Sequence, residues 1–266
     1  MGKEIKYPVG VQTFSEIIRN NYFYIDKTAL VHQLVTKAKY VFLSRPRRFG
    51  KTLLMSTLEA YFKGQKELFQ GLAISRLETK WETYPVFRFD LSPTNYDSPK
   101  KLISLVTRCL DFIEEQYGLS SNREVISDRF IDLIHQAHKR YEKKVVILID
   151  EYDKPMLDCL QDTNLHEKIK AELRGFYAGI KACDEYIKFA MVTGITKFGK
   201  VSIFSGLNNL KDISMLPKYN AICGITETEF RRDFPTSVRE FAEANDMTEG
   251  ETWETFKITY DGYRFA

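Results

Sequence analysis

Two short segments of the sequence carry residues that could bind and transfer phosphate. In the first, Gly50-Lys51-Thr52 matches the end of the phosphate-loop pattern Gly-x-x-x-x-Gly-Lys-[Ser/Thr]. In such loops the glycine lets the backbone approach the phosphates, the lysine places a charge at the β- and γ-phosphates, and the hydroxyl ligates Mg²⁺. Arg45 stands where the first glycine of the pattern is expected. Because a bare Gly-Lys-Thr also occurs by chance, this segment alone is weak evidence for a nucleotide site.

The second segment is an apolar run that ends in two acids. Residues 145–149 are continuously apolar, as in a central strand of a parallel sheet, and Asp150-Glu151 follow directly. We expect Asp150 to hold Mg²⁺ through water and Glu151 to orient and polarise the attacking water. Two solvated acids in a loop are the alternative. Lys51 also follows a predicted strand, and open α/β sheets bind ligands at the carboxyl ends of their strands. This shared position makes the alternative of two solvated acids less favoured.

Threonines follow a further predicted strand at residues 187–192. Thr193 ends this apolar run directly, and Thr196 lies three residues later. We expect a polar side chain here, between the phosphate loop and the acidic strand, to sense the γ-phosphate. Both threonines are candidates. The alternative for each is a hydroxyl that bonds the backbone at a strand end.

Strand and helix patterns alternate along most of the chain. Amphipathic stretches separate the apolar runs, and this alternation indicates an α/β fold with a mostly parallel sheet. The predicted strands are 40–43, 85–89, 145–149 and 187–192.

The pattern changes after about residue 215. Capping boxes at Thr226-x-x-Glu229 and Thr248-x-x-Glu251 open predicted helices there. We therefore divide the chain into a core with an N-terminal lead-in and a small, lid-like helical segment. The two parts are residues 1–215 and 216–266.

The composition is that of a soluble globular protein, with 44% apolar and 28% charged residues among 266. The net charge of +3 is too small to imply nucleic-acid or membrane binding by itself. The N-terminus lacks an apolar signal-peptide region, and no segment approaches the ~20 apolar residues that span a bilayer. We expect a cytoplasmic protein without a membrane partner. Its four cysteines lack Cys-x-x-Cys spacing, so we expect reduced thiols.

Several other side chains have more than one interpretation. Arg45, Arg47 and Arg48 form a basic cluster that could contact phosphates, act on a neighbouring subunit's nucleotide, bind nucleic acid or pair with acids beside the loop. His135 and His138 have the i, i+3 spacing of a helical metal pair. No third ligand is evident, so a surface or packing role is favoured for them.

Two further features border the motifs. The aromatic residues 22–24, or the segment 9–14, could wrap an adenine, although ordinary core packing is favoured. Asp153 follows the acidic pair, where it could support the metal ligands indirectly or cap a helix.

Several long motifs resemble the AAA-ATPase-like family of bacterial proteins. They are YFYIDKTALV, FLSRPRRFGKTLLMSTLEAYFKGQKELFQGLAI, VVILIDEYDKP, VTGITKFGKVSIFSGLNNLKDIS and YDGYRF. In that family the loop is commonly written RPRRFGK[ST], so Arg45 in place of glycine is a family trait. The resemblance implies a P-loop fold of the ASCE type, with an added strand between the phosphate-loop strand and the acidic strand. It also implies ATP rather than GTP.

The resemblance bears on partners as well. Family members often continue into a nuclease-like domain of the PD-(D/E)XK type, so we expect this chain to carry the ATPase part and to meet nucleic acid only through such a domain. A homo-oligomer is a further expected partner, because ATPases of this class often use a neighbouring subunit's arginine. Arg231 and Arg232 are candidates for it.

These features together predict a three-layer P-loop NTPase that hydrolyses ATP with Mg²⁺ and couples the reaction to a partner or a further domain. A nucleotide-binding switch with little hydrolysis and an ATP-gated nucleic-acid-processing module are the alternatives. The residues expected to contact the nucleotide are Arg47, Arg48, Phe49, Gly50, Lys51, Thr52 and Leu53. Those expected to act in catalysis are Glu151, Lys51, Thr193 and Thr196. The expected Mg²⁺ ligands are Thr52 and Asp150.

Overall fold

Five parallel strands form a sheet in the part of the chain that the structure describes. The structure is a computed structural model that describes residues 6–197, 204 and 210–260. The strand order is β2-β3-β4-β1-β5, and every neighbouring pair is parallel. The strands are β1 Tyr40–Ser44, β2 Val86–Asp90, β3 Val145–Asp150, β4 Ile187–Gly194 and β5 Lys211–Asp212.

Helices precede the first strand, lie between later strands and follow the last of them. They are α1 Phe14–Arg19, α2 Thr28–Lys37, α3 Lys51–Phe62, α4 Pro99–Tyr117, α5 Ile126–Tyr141, α6 Lys154–Leu157, α7 Thr163–Ala182, α8 Glu227–Asp233, α9 Pro235–Ala244 and α10 Glu249–Tyr260. Short 3₁₀ turns lie at Lys66–Phe69, Ala73–Arg76, Asp184–Tyr186 and Pro217–Tyr219.

Both faces of the sheet are covered by helices, which explains why β3 is apolar at every position before its terminal acid. Val145, Ile147 and Ile149 point into a core that includes side chains of α4, α5 and α7. Val146 and Leu148 point into a second core that includes side chains of α1, α2 and α3. Successive side chains of a strand face opposite sides, so a strand buried on both sides loses the polar alternation of an edge strand.

The predicted α/β class is confirmed, and the strand predictions differ from the structure mainly at their ends. β4 extends two residues beyond its predicted end, to Gly194. β5 was not predicted, because only Lys211 and Asp212 pair with β1 and neither residue is apolar. Such a short polar strand leaves no periodic signal in the sequence.

Lys27, not Asp26, occupies the N-cap of α2. Asp26 instead accepts hydrogen bonds from the Thr28 amide and hydroxyl and, through its other oxygen, from the Ala73 amide at 2.7 Å. The carboxylate therefore joins the start of α2 to a 3₁₀ turn that lies far away in sequence.

Both predicted capping boxes are present in the C-terminal helices. The Thr226 and Glu229 side chains each bond the other's backbone amide at the start of α8. Thr248 and Glu251 do the same at the start of α10. The segment just before α8 packs into the core beside α3, through Tyr219, Ile222 and Cys223. The division at residue 215 remains a prediction.

None of the helices within the described residues is both long enough and apolar enough to cross a membrane.

Two glycines of α7 differ in how closely neighbouring side chains pack against them, so they test the packing of α7 against α5. A Cβ added at Gly175 would meet no atom within 4 Å, whereas one added at Gly179 would lie 3.0 Å from Phe130 Cδ1. Gly175→Ala should raise the free energy of unfolding by about 0.5–1 kcal/mol, because alanine loses less backbone entropy in a helix. Gly179→Ala should lose this gain or reverse it. Urea denaturation measures both, and equal stabilisation by the two variants would contradict the packing described here.

Candidate functional site

The loop between β1 and α3 presents backbone amides without partners. Gly50 adopts φ 82° at the N-cap of α3, a left-handed conformation that glycine adopts without strain. Arg48 is also left-handed, with φ 67°. Within the described part of the chain, the amides from Gly50 to Leu53 donate no hydrogen bond. A helix N-terminus with free amides attracts anions, so this end of the loop offers hydrogen-bond donors to an anion.

Arg45, which stands where the phosphate-loop pattern has its first glycine, is buried and bonds the backbone of other segments. Its side chain is 1% exposed, and Nη1 donates to the Ser214 carbonyl at 2.6 Å and to the Ser44 carbonyl at 3.1 Å. Nη2 donates to the Tyr219 carbonyl at 3.5 Å. These three contacts are with backbone carbonyls. Through them Arg45 fastens the phosphate loop to the segment that follows β5.

Arg47 and Arg48 behave differently from Arg45. Both are exposed, and neither forms an ion pair with another described residue. Two cations beside the free amides of the loop add positive potential where an anion would lie.

Lys51 points back across the loop toward the acidic strand end. Its side chain is 3% exposed, and Nζ lies 3.1 Å from Glu151 Oε1. Nζ also donates to the carbonyls of Arg45 at 3.1 Å and Pro46 at 3.2 Å. The structure therefore brings together the lysine and the glutamate that the sequence predicted for one site.

The two acids at the end of β3 have different surroundings. Asp150 is fully buried, and its Oδ1 accepts hydrogen bonds from the Thr193 hydroxyl and, at 3.1 Å, from the Glu151 amide. Glu151 is partly buried and has φ 52°. Burial raises the pKa of the Glu151 carboxyl above its ordinary value; Lys51 opposes this shift, and the charges of Asp150 and Asp153 reinforce it. A raised pKa makes this carboxylate a better proton acceptor than an ordinary glutamate.

One atom of this site bears directly on metal binding. Asp150 Oδ2 is buried and has no hydrogen-bond partner within the described residues. Among those residues, no group of three or more His, Cys, Asp or Glu side chains could hold a metal ion. Mg²⁺ commonly takes one or two carboxylates and completes its shell with water and substrate phosphates. The single buried carboxylate of Asp150 and the half-buried hydroxyl of Thr52 fit that kind of site.

The two threonines after β4 both lie at this edge, but each hydroxyl already has an acceptor. Thr193 is fully buried and donates to Asp150. Thr196 donates to Asp153 Oδ2 at 2.8 Å. Thr193 therefore orients the carboxylate of β3. A role for either threonine in sensing a γ-phosphate stays a prediction.

A cavity of about 420 Å³ opens beside the N-terminus of α3. Arg48, Phe49, Gly50 and Leu53 form its loop side. The other walls are mostly apolar and include Tyr7, Val11, Phe23, Tyr24, Ile222 and Phe234. Pockets that enclose a small organic ligand have volumes in this range, about 300–1,000 Å³.

The cavity lies where the N-terminal lead-in meets the residues around α8. The Tyr7 and Phe234 rings stack at 5.7 Å. Lys27 Nζ lies 2.5 Å from Glu229 Oε1. Burial alone would raise the pKa of Glu229, but hydrogen bonds from Lys27 and Thr226 hold it below its ordinary value. The sequence indicated the aromatic residues 22–24 as candidates to wrap an adenine, and Phe23 and Tyr24 line this cavity. It gave no signal for Ile222 or Phe234. Their contribution depends on tertiary contacts.

The histidine pair does not form a metal site with other described residues. The His135 ring packs edge-to-face on Tyr186 at 4.7 Å, and its Nε2 lies 3.8 Å from Cys183 Sγ. His138 also packs against Tyr186 and contacts the Lys143 carbonyl. The packing role favoured from the sequence therefore agrees with the structure.

Comparison with known proteins agrees with these features. The profile of the family described as "Predicted AAA-ATPase" matches residues 8–204. The chain belongs to this family. Membership supports ATP binding, in agreement with the free amides and the lysine of the loop.

A relative from Azotobacter chroococcum mcd 1, "Uncharacterized protein in vnfD 5'region", is 41% identical over 228 residues. The match covers 84% of this chain and 44% of the relative, so the chain spans less than half of the relative's length. No solved structure matches this chain.

The role of Arg45 predicts a loss of stability when its side chain is removed. Arg45→Met should lower the free energy of unfolding by about 2–4 kcal/mol, because the Ser214 and Tyr219 carbonyls lose a buried donor at about 1–3 kcal/mol each. Arg47→Ala, an exposed change in the same loop, should alter it by less than about 0.5 kcal/mol. Urea denaturation compares the two. Similar stabilities for both variants would contradict the anchoring role of Arg45.

Proposed function

We propose that this chain is a Mg²⁺-dependent ATPase with its site at the carboxyl ends of β1, β3 and β4. The observation that carries the proposal is the meeting of Lys51 Nζ and Glu151 Oε1 at 3.1 Å, beside free amides at the start of α3. The position of β4 between β1 and β3 supports the ASCE-type class of P-loop fold. Family membership supports ATP as the nucleotide.

Nucleotide binding requires Lys51 to change partners. In the described structure its ammonium group is satisfied by Glu151 and by two loop carbonyls. We infer that the β- and γ-phosphates take the place of Glu151 at Nζ and accept hydrogen bonds from the amides of Gly50 to Leu53. The exposed Arg47 and Arg48 add charge on the outer side of the loop. The base would occupy the apolar cavity between Phe49 and the C-terminal segment.

The exchange at Lys51 releases the catalytic base. Once Lys51 contacts phosphate, the Glu151 carboxylate is free to orient the attacking water and to accept its proton. Asp150 and Thr52 are the residues that would hold Mg²⁺, and Thr193 keeps the Asp150 carboxylate in place. Bound there, the ion would neutralise charge that develops on the phosphate oxygens. Catalysis would consist of positioning and charge stabilisation.

Two variants test the assignment of roles. Lys51→Ala should weaken ATP binding by at least about 30-fold, because a buried charged donor to phosphate is lost. Glu151→Gln should lower kcat by at least about 100-fold, since a general base contributes about 10²–10⁴-fold. The same variant should bind ATP at least as tightly as the wild type, because Lys51 no longer has to leave a carboxylate. Calorimetric titration and phosphate release measure both quantities.

Three outcomes would revise this proposal. Normal turnover by Glu151→Gln would contradict the role of Glu151. ATP binding by the wild type without measurable turnover would favour a nucleotide-dependent switch. Turnover that begins only when DNA or RNA is added, with salt-sensitive binding, would favour a nucleic-acid-processing module.

The raised pKa of Glu151 predicts the acid side of the pH profile. The carboxylate must be ionised to accept a proton, so kcat/KM should fall as pH drops through a pKa above the ordinary value of about 4.3. The corresponding limb of the kcat profile should lie at still higher pH, because in the ATP complex Lys51 no longer lowers this pKa. Initial rates with excess Mg²⁺ provide both profiles. A kcat limb at or below the ordinary glutamate value would contradict this account.

A further inference from the structure

Asp153 is a buried carboxylate at the same edge of the sheet that takes no part in the reaction proposed above. Asp153 is only 1% exposed. Oδ2 accepts hydrogen bonds from the Ile195 amide at 3.0 Å, the Thr196 amide at 2.6 Å and the Thr196 hydroxyl at 2.8 Å. Asp153 occupies the N-cap position of α6, but its side chain caps no amide of that helix. The carboxylate therefore serves the turn after β4.

Neighbouring contacts make the ends of β3 and β4 a single interlocked unit. The Tyr152 amide donates to the Thr193 carbonyl at 2.9 Å, and the Tyr152 hydroxyl donates to the Thr196 carbonyl at 3.0 Å. Gly194 lies between Thr193 and Thr196 in the chain and has no room for a side chain. A Cβ there would approach the Tyr152 ring to 2.5 Å and Asp153 Oδ1 to 2.6 Å.

The backbone of Glu151 depends on this unit. Its φ of 52° places a non-glycine residue in the left-handed region, a conformation that persists only where the surroundings enforce it. The two residues that follow Glu151 are both fixed to residues 193–196. Their hydrogen bonds therefore enforce the conformation that directs the Glu151 carboxylate toward Lys51.

We propose that Asp153 is a positioning residue of the ATPase centre, which holds the turn at residues 195–196 and thereby fixes the placement of Glu151. The inference rests on the proposed function. It assigns to Asp153 the acceptance of hydrogen bonds rather than a charge effect or contact with the nucleotide. The Thr196 hydroxyl belongs to the same contact, so it supports the turn.

The test compares Asp153→Ala, Asp153→Asn and a control. Asp153→Ala should lower kcat by at least about tenfold with KM for ATP within about threefold, because small displacements of a catalytic group act on the chemical step. Asp153→Asn keeps an oxygen that can accept from the same donors, so it should retain at least about a third of kcat. Its amide nitrogen would lack a partner beside Gly194, so its melting temperature should nevertheless fall.

Asp162→Ala is the matched control. Asp162 caps α7 by accepting from the Leu165 amide at 3.0 Å, so its loss should lower the melting temperature while kcat stays unchanged. If Asp153→Ala is insoluble, Asp153→Ser provides the truncation. Wild type and Glu151→Gln are assayed alongside these variants.

The outcomes separate this inference from the proposed function. Normal kcat for a soluble Asp153 truncation, or an Asp153→Asn variant as inactive as the truncation, overturns the positioning role while the ATPase assignment stands. Absence of turnover by the wild type contradicts the proposed function and removes the reaction on which this inference rests. A lower kcat in Asp153→Ala with KM preserved, together with a kcat in Asp153→Asn of at least about a third of the wild-type value, supports the inference.

Discussion

The parallel pairing of β4 with both β1 and β3 is the constraint on which the rest of the structure depends. Ser44 at the end of β1 pairs with Gly194, and Ile149 near the end of β3 pairs with Val192. Because the three strands run in the same direction and end level with one another, the phosphate loop and the acidic pair emerge at one edge. That register brings the Lys51 ammonium and the Glu151 carboxylate together.

Charge balance at this edge bears both on the stability of the site and on the ligand proposed for it. Three acids lie close together at the end of β3, and Lys51 is the cation that contacts one of them. Burial makes the negative charge costly, so the site favours arrangements that bring positive charge to the carboxylates. An incoming Mg²⁺ and nucleotide would meet a buried Asp150 oxygen that lacks a partner among the described residues, and a lysine that in our proposal exchanges one anion for another. The same electrostatics therefore stabilise the ligand-free site and favour its ligand.

The lead-in and the C-terminal helices add a second connection to the phosphate loop. Arg45 ties the loop to the segment after β5, and Gly224 donates to the Phe49 carbonyl at 2.9 Å. Lys27 and Glu229 join the lead-in to α8. A ligand in the cavity beside Phe49 would lie against the lead-in, the phosphate loop and residues on either side of α8. Under the proposed function, nucleotide binding would thereby be linked to the position of the C-terminal helices.

The sequence by itself determined the α/β class, the alternation of strands and helices, and the residues of the phosphate loop and the acidic strand end. These features are local, because apolar periodicity, a glycine before a helix and acids after a strand are set by neighbours in the chain. The tertiary structure alone decided that Arg45 bonds backbone carbonyls, that Asp153 holds the turn after β4, and that residues near 222 and 234 complete the cavity. Each of these contacts joins segments distant in sequence. Their partners are fixed by strand order and packing, which no local pattern records.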